Sequence, residues 1–302
     1  MPNSEPLKRY LRVQDAADKE FAAALRDAAA DAEKLMDKLS RRYDFGSEMR
    51  RAQIAQVLGA LREQQAMLYK NLTDTLMDQM TYAADAAAEA EGVMTDYLFN
   101  QLGTGPIPQL QAAYKEQARA TVRAYQARND LGIPLAQSVY RTQALSSGLV
   151  DRSVNRGLLL GKSAREIAKD VRHLINPNVR GGVSYAAMRL GRTELNNAFH
   201  HAQKGIRAND PFVEAMKWNL SGSHPKPDEC NTYAENVHFD GGGLGEFLPM
   251  EVPGKPHPNC FCYMTAVVVD DDKFVADFMA GKYNTYIDEK IYTHLPKKDL
   301  PC

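Results

Sequence analysis

From residue 15 to about residue 39 the apolar side chains Phe21, Leu25, Ala28, Ala32, Leu35 and Leu39 recur at steps of three and four, the period that lines one face of a helix. A second and longer pattern of the same kind carries Ile54, Leu58, Leu61, Leu68, Leu72, Leu76 and Met80, and runs on through an alanine-rich stretch at 83–90 to about residue 98. Its length exceeds that of an ordinary globular helix. Following the first across a break at 43–46, it predicts an antiparallel hairpin whose seam is shared within the chain or with a neighbouring subunit, or else a plain helical bundle. Gly and Pro at 103–108 end this arm.

Four more helical segments follow. The pattern predicts one at 110–128, a shorter one at 135–146, one near 164–175 and one at 184–208. The third opens on Ser163-Ala-Arg-Glu166, a capping box in which hydroxyl and carboxylate satisfy free backbone N–H groups. Ala164, Ile167, Ala168, Val171 and Leu174 then form its apolar face, and Asn176-Pro177 closes it. The fourth directs Met188, Leu195, Ala198, Phe199, Ala202 and Ile206 inward. After Pro211 helical periodicity stops: glycines cluster at 241–243, prolines recur at 249, 253, 256 and 258, and a β-branched run occupies 265–269. Short strands at 215–220 and 263–269 fit this composition, with a last helix at 273–281 and an extended remainder. The expected fold is α-rich: a long helical N-terminal arm (1–105), a helical domain with a basic face (106–210), a smaller α+β module containing Cys and His (211–270) and a tail (271–302).

Charge refines this picture. The 302 residues carry 37 Lys and Arg against 38 Asp and Glu, which excludes a globally basic coat and requires any DNA contact to come from a local patch. Such a patch exists at 151–210, where eleven Lys and Arg face five Asp and Glu. Arg165, Lys169, Arg172, Arg180, Arg189 and Arg192 are the candidate phosphate contacts, against the plainer reading of a solvated helix face. No apolar run is long enough to span a bilayer and the first residues lack a signal-peptide core, so no membrane association and synthesis in the cytoplasm are expected.

Of four cysteines, three lie between 230 and 262, too few for a disulfide scaffold. Cys260 and Cys262 point to one face of an extended segment while Phe261 points to the other. With His257, and with Cys230 or His224 from across the loop, they supply the four tetrahedral ligands that zinc prefers. Buried core thiols beside a hydrogen-bonded His, and a disulfide formed after assembly, are the alternatives. Other constellations are weaker. Arg192 and Glu194 stand about 200° apart around a helix and His200 and His201 diverge, so neither pair shares a face. A metal nuclease built on His224, Asp228 and His257 is the enzymatic rival, because a His-Asp-His set binds a divalent ion that activates water.

The run Trp218-Asn-Leu-Ser-Gly-Ser-His224-Pro-Lys-Pro-Asp228-Glu-Cys230, followed by Pro256-His257-Pro258-Asn259-Cys260-Phe261-Cys262 before a β-branched strand, resembles the C-terminal domain of the bacteriophage Mu F-like family of minor head proteins. Gly161-Lys-Ser-Ala-Arg-Glu166 and Arg192-Thr193-Glu194, with Asn197 and Ala198, are similar as well, so the likeness spans roughly 149–269. Tyr233 and Phe261 stand where many relatives carry a second Cys of a C-x-x-C and an Arg. The resemblance implies a non-enzymatic virion component at few copies per particle. It would act in head assembly, DNA packaging or ejection, with the portal protein or major capsid protein and viral DNA as partners, at the capsid interior or portal vertex. Trp218, Asp228 and Pro258 would be structural. The alternative function is a metal-dependent nuclease or toxin-type enzyme acting on nucleic acid.

Overall fold

The computed structural model describes residues 4–42, 51–127, 135–160, 162, 164–175, 179–222, 224 and 227–292. Of the seven expected helices, the first six are α1 (Ser4–Arg42), α2 (Arg51–Gln101), α3 (Pro108–Ala127), α4 (Leu135–Leu159), α5 (Ala164–Ile175) and α6 (Val183–Arg207), and the last is α8 (Asp271–Met279). The small C-terminal part adds β1 (Val213–Asn219), α7 (Glu229–Glu235), β2 (Glu246–Phe247), β3 (Tyr263–Val268), α8 (Asp271–Met279) and α9 (Asn284–Tyr292). The fold is therefore α-rich with a small α+β region at its C-terminal end. No helix among the described residues is long and apolar enough to cross a membrane.

Segments distant in sequence form two compact units. One gathers Met1–Gln14, Gln79–Ala127 and Leu195–Cys302; the other gathers Asp15–Asp78 and Arg128–Glu194. In the first, the alanine-rich half of α2 is buried on nearly every side: Ala83, Ala84, Ala87, Ala90, Met94 and Leu98 are all closed to solvent. Small side chains let neighbouring backbones approach closely, while Asp85 and Glu89 on the remaining face pair with Arg119 and Arg9. Tyr10 stacks on Phe199 with ring centroids 3.8 Å apart, and its hydroxyl donates to Asn196 Oδ1. In the second unit Phe21 lies against Gly191, where a Cβ would meet the ring at 2.9 Å.

Three departures from the sequence reading have physical causes. Helix α4 continues thirteen residues beyond the expected end at 146, because Ser146, Val150 and Val154 at four-residue steps keep one face buried and Tyr69 bonds the Ser146 hydroxyl at 2.6 Å. The stretch after 281 was expected to be extended, yet α9 is helical: Tyr283 and Tyr286 set their rings edge-on to Phe212 at 5.1 and 5.6 Å. Aromatic residues spaced three apart anchor a helix turn as well as a strand. The short α7 and two-residue β2 lie inside what reads as loop. The expected hairpin turn at 43–46, Ser163 of the capping box and Asn176-Pro177 lie outside the described residues.

The sheet has the order β2-β1-β3, with both pairs antiparallel. Trp218 pairs with Met264, Met216 with Ala266 and Phe247, and a register shift interrupts the β1–β3 pair between Val213 and Ala215. Gly245 makes the β2 edge possible. Its φ is +74°, and a Cβ there would sit 2.8 Å from the Ala234 carbonyl oxygen and 3.0 Å from that of Trp218. The Trp218 N–H donates to the Gly245 carbonyl at 2.7 Å. Only glycine combines that φ with that closeness.

The first unit also encloses charge. Arg207 Nε donates to Glu91 Oε2 at 2.7 Å, with side chains 5 % and 0 % exposed. Beside this pair, Asp210 accepts from the Tyr114 hydroxyl at 3.0 Å, the Tyr286 hydroxyl at 3.3 Å and the Phe212 N–H at 2.8 Å. Burial, then the Glu91 carboxylate, push the Asp210 carboxyl up to about 7. A carboxyl raised above its unfolded value of about 4 holds its proton more tightly when folded, so its contribution is present at acid pH and lost as pH rises from about 4 to about 7. Asp210→Asn, neutral throughout, should therefore gain stability relative to wild type between pH 5 and pH 8. Urea unfolding at both pH values checks this; a pH-independent difference would show that Asp210 does not titrate in that window.

Candidate metal centre

Strand β1 ends at Asn219 and the chain returns to the same end of the sheet twice, once through Asp228 and α7 and once through 256–262 into β3. Asp228 is the N-cap of α7. Its Oδ1 accepts the Cys230 N–H at 2.8 Å, while Asn231 Oδ1 accepts the Asp228 N–H at 3.2 Å, a reciprocal capping box. This fixes Cys230 in the first turn of α7, fully buried. In the second passage Asn259 adopts φ 57°, the left-handed conformation that Asn tolerates better than most residues, and turns the chain so that Cys260 enters the interior. Cys260 and Cys262 are both 2 % exposed and Phe261 is half-buried, so the alternation expected from the sequence holds.

The three sulfurs converge. Cys230, Cys260 and Cys262 place their Sγ atoms within 4.8 Å of one another, with Cys230 and Cys260 at 3.5 Å. All three are free thiols. His257 Nε2 stands 3.6 Å from Cys230 Sγ, and His224 Nδ1 stands 3.7 Å from Cys262 Sγ. Ligand atoms at the corners of a tetrahedral thiolate site with metal–sulfur bonds of about 2.3 Å are separated by about 3.8 Å. The observed spacings are close to that edge length, so Cys230, Cys260 and Cys262, with His257 beside Cys230, form a cluster able to bind a metal ion. Asp228, Cys230 and His257 form a second overlapping group within the same limit.

The electrostatics suit thiolate formation at one position. The hydrogen bond from the Cys260 thiol holds Cys262 down to about 5, against the upward push of burial, while burial pushes Cys230 up to about 12. Lys255 donates to the Cys262 carbonyl and stands 5.4 Å from the centroid of the Trp218 ring. Burial lowers its pKa, and the neighbouring thiols oppose that shift. Burial also pushes the Asp228 carboxyl upward, but the Cys230 N–H and the adjacent His257 and His224 bring it below its ordinary value. His257 Nε2 is 3.0 Å from Asp228 Oδ2 and His224 Nε2 is 3.6 Å from Oδ1, so the three residues of the nuclease alternative are also brought together.

Trp218, 1 % exposed, belongs to the same core as the three cysteines, Met216, Phe247 and Met264. Pro258 is exposed, and its carbonyl lies 3.1 Å from His257 Nδ1. His200 is buried beneath the Trp218 ring, its Nε2 2.8 Å from the Pro253 carbonyl; burial drives its pKa well below the usual value and keeps it neutral. His201 stacks on Tyr125 instead. Sequence reasoning missed Asn231, Lys255 and Gly245. Asn231 had a signal, the Asp-x-x-Asn spacing of a capping box; Lys255 had none.

The candidate phosphate contacts divide. Lys169 lines a cleft of about 910 Å³ with Arg152, Arg156, Lys162, Asp170 and His173, all in the second unit. Lys162 pairs with Asp170 at 2.7 Å. Arg180 and Arg189 are exposed elsewhere. Arg192 pairs with Asp18 at 2.9 Å. The side chains of Arg165 and Arg172 lie outside the described residues.

No protein-family model, curated protein or solved structure matches this chain.

Asp228→Ala removes the α7 cap and the carboxylate facing both histidines. Loss of such a cap costs about 1 kcal/mol. Urea unfolding of the variant should register at least that loss, and unchanged stability would show that the cap does not hold Cys230 in place.

Proposed function

We propose that this chain is a phage minor head protein in which the Cys/His cluster is a structural zinc site and the basic cleft of the second unit meets packaged DNA. The observation that carries this reading is the convergence of the residues behind the resemblance: Trp218, Cys230, Cys260 and Cys262 share one core, with His257 at its edge. Residues that carry one sequence motif and close one core are what a structural module requires. Three sulfur ligands favour zinc among the metals a cell supplies, and ligands buried to 2 % or less favour a closed site over one with an open catalytic position. Around the cleft, four cationic side chains face one carboxylate, with Arg152 and Arg156, and Lys169 and His173, each one helical turn apart. Such ladders suit a row of phosphates.

The test of the reading is quantitative mass spectrometry of particles made by the phage or prophage that encodes the chain. The expected result is a few copies per particle and co-purification with the portal protein; absence from particles would overturn it. On DNA, Arg152→Gln/Arg156→Gln/Lys169→Gln should bind more weakly than wild type and flatten the slope of log affinity against log salt by about 0.9 per lost contact. An unchanged slope would remove the cleft from the DNA interface.

A second reading has one observation in its favour, the approach of His224 and His257 to the Asp228 carboxylate. It makes the chain a metal-dependent nuclease. Incubation with plasmid DNA and Mg²⁺, Mn²⁺ or Zn²⁺ separates the two: the structural reading expects retention without cleavage, and cleavage abolished by His257→Ala would favour the enzyme.

A further inference from the structure

We infer that the loop face of the C-terminal module formed by Val237, Leu244, Leu248 and Met250 docks a protein segment that is apolar on one side and carries Lys and Arg on the other. This face uses neither the cysteines nor the basic cleft.

The face is an excess of exposed hydrocarbon. Val237 is 55 % exposed, Leu244 58 %, Leu248 38 % and Met250 63 %. Printed through the backbone, two contacts bring these residues together. The Gly245 N–H donates to the Asn236 carbonyl at 2.8 Å, which sets Leu244 beside Val237. The His238 ring stacks on Phe247 with centroids 3.7 Å apart, which sets 236–238 against β2. Phe247 turns inward to the core, so by the alternation of an extended chain Leu248 turns outward. A turn closed by the Glu251 N–H on the Leu248 carbonyl at 2.9 Å keeps Met250 close to Leu248. Single exposed apolar residues are ordinary, whereas four gathered on one pair of loops mark an interaction site. The glycine-rich loop between them is also tied down: the Gly242 N–H donates to the Phe239 carbonyl at 3.1 Å and the Gly243 N–H to Glu246 Oε2 at 2.8 Å. A surface already formed loses little freedom when a partner arrives.

Charge defines the partner. From 229 to 251 the chain carries Glu229, Glu235, Asp240, Glu246 and Glu251 and no Lys or Arg. Glu229 accepts from the Tyr233 hydroxyl, Glu235 from the Asn231 amide and Glu246 from the Gly243 N–H, all neutral donors that leave the negative charge in place. Lys217, opposite Glu246 in the β1–β2 ladder, offsets one of the five. Asp240 and Glu251 are exposed beside the apolar residues. A surface of this sign repels phosphates, so nucleic acid is not its partner, and the exposed hydrocarbon calls for more than a simple cation. An amphipathic segment bearing Lys and Arg satisfies both requirements.

Fluorescence anisotropy with the full-length protein tests this, using a labelled helical peptide with leucines on one face and lysines on the other, and its glutamate counterpart. At about 0.15 M salt the lysine peptide should bind about 10-fold or more tightly than the glutamate peptide. Leu244→Ser/Met250→Ser should weaken that binding by about 10-fold or more, and Asp240→Asn/Glu251→Gln should weaken it and flatten its salt dependence. All four side chains are exposed, so both variants should keep the wild-type urea midpoint. Equal binding of the two peptides, or binding undiminished by Leu244→Ser/Met250→Ser, overturns the inference. Sedimentation velocity in which the wild type self-associates and Leu244→Ser/Met250→Ser does not would also overturn it, because the face would then belong to a second copy of this chain.

Discussion

The carboxylate of Asp228 organises the C-terminal module. One oxygen ends the unpaired backbone of α7 by accepting the Cys230 N–H, and the other meets His257. The same residue's N–H is received by Asn231, whose remaining capacity orients His224. A single residue, through its carboxylate and its N–H, thus bears on one sulfur and both imidazoles. The carboxylate is only partly shielded from water, and the Cys230 N–H with the adjacent His257 and His224 favours its ionised form. Because α7 has only seven residues, it has little intrinsic helical stability and depends on this cap and on its place against β1.

The opposite solution appears in the same unit around Asp210. Its partners are phenols and one N–H, and the nearest strong charge of like sign is Glu91, so burial wins and the carboxyl is raised. Arg207 is taken by Glu91 and does not relieve it. Two aspartates eighteen positions apart are therefore shifted in opposite directions: Asp210 is buried among phenols beside a like charge, whereas Asp228 is partly exposed and faces an N–H and two imidazoles.

Much of the helical frame was legible in the sequence because apolar spacing reports which face is covered. Strands β1 and β3 were legible because Gly and Pro bound two short β-rich runs. The end of α4 was obscured by Ser146 and Gly148, which suggest a stop, although Val150 and Val154 continue the buried face. Helix α9 was obscured by aromatic residues that suit either conformation. At the site, the three cysteines and two histidines were legible as residue types, since Cys and His at such spacing are costly to keep without a use. The surroundings of the two histidines were not. Asn231, Pro258 and Asp228 acquire their positions around them only when two loops distant in sequence fold onto one end of a sheet. The assignment of residues to compact units is hidden for a similar reason: a helical period states which face is buried but not against which segment.

The depressed Cys262 thiol has a consequence for handling the protein. A sulfur whose thiolate form is favoured is the one of the three most ready to react at neutral pH, yet at 2 % exposure no reagent reaches it in the closed module. Its alkylation must wait for local opening. In the metal-free chain the rate at which Cys262 is modified therefore measures how often the sheet and α7 part, and the residue serves as a built-in gauge of that opening without any added label.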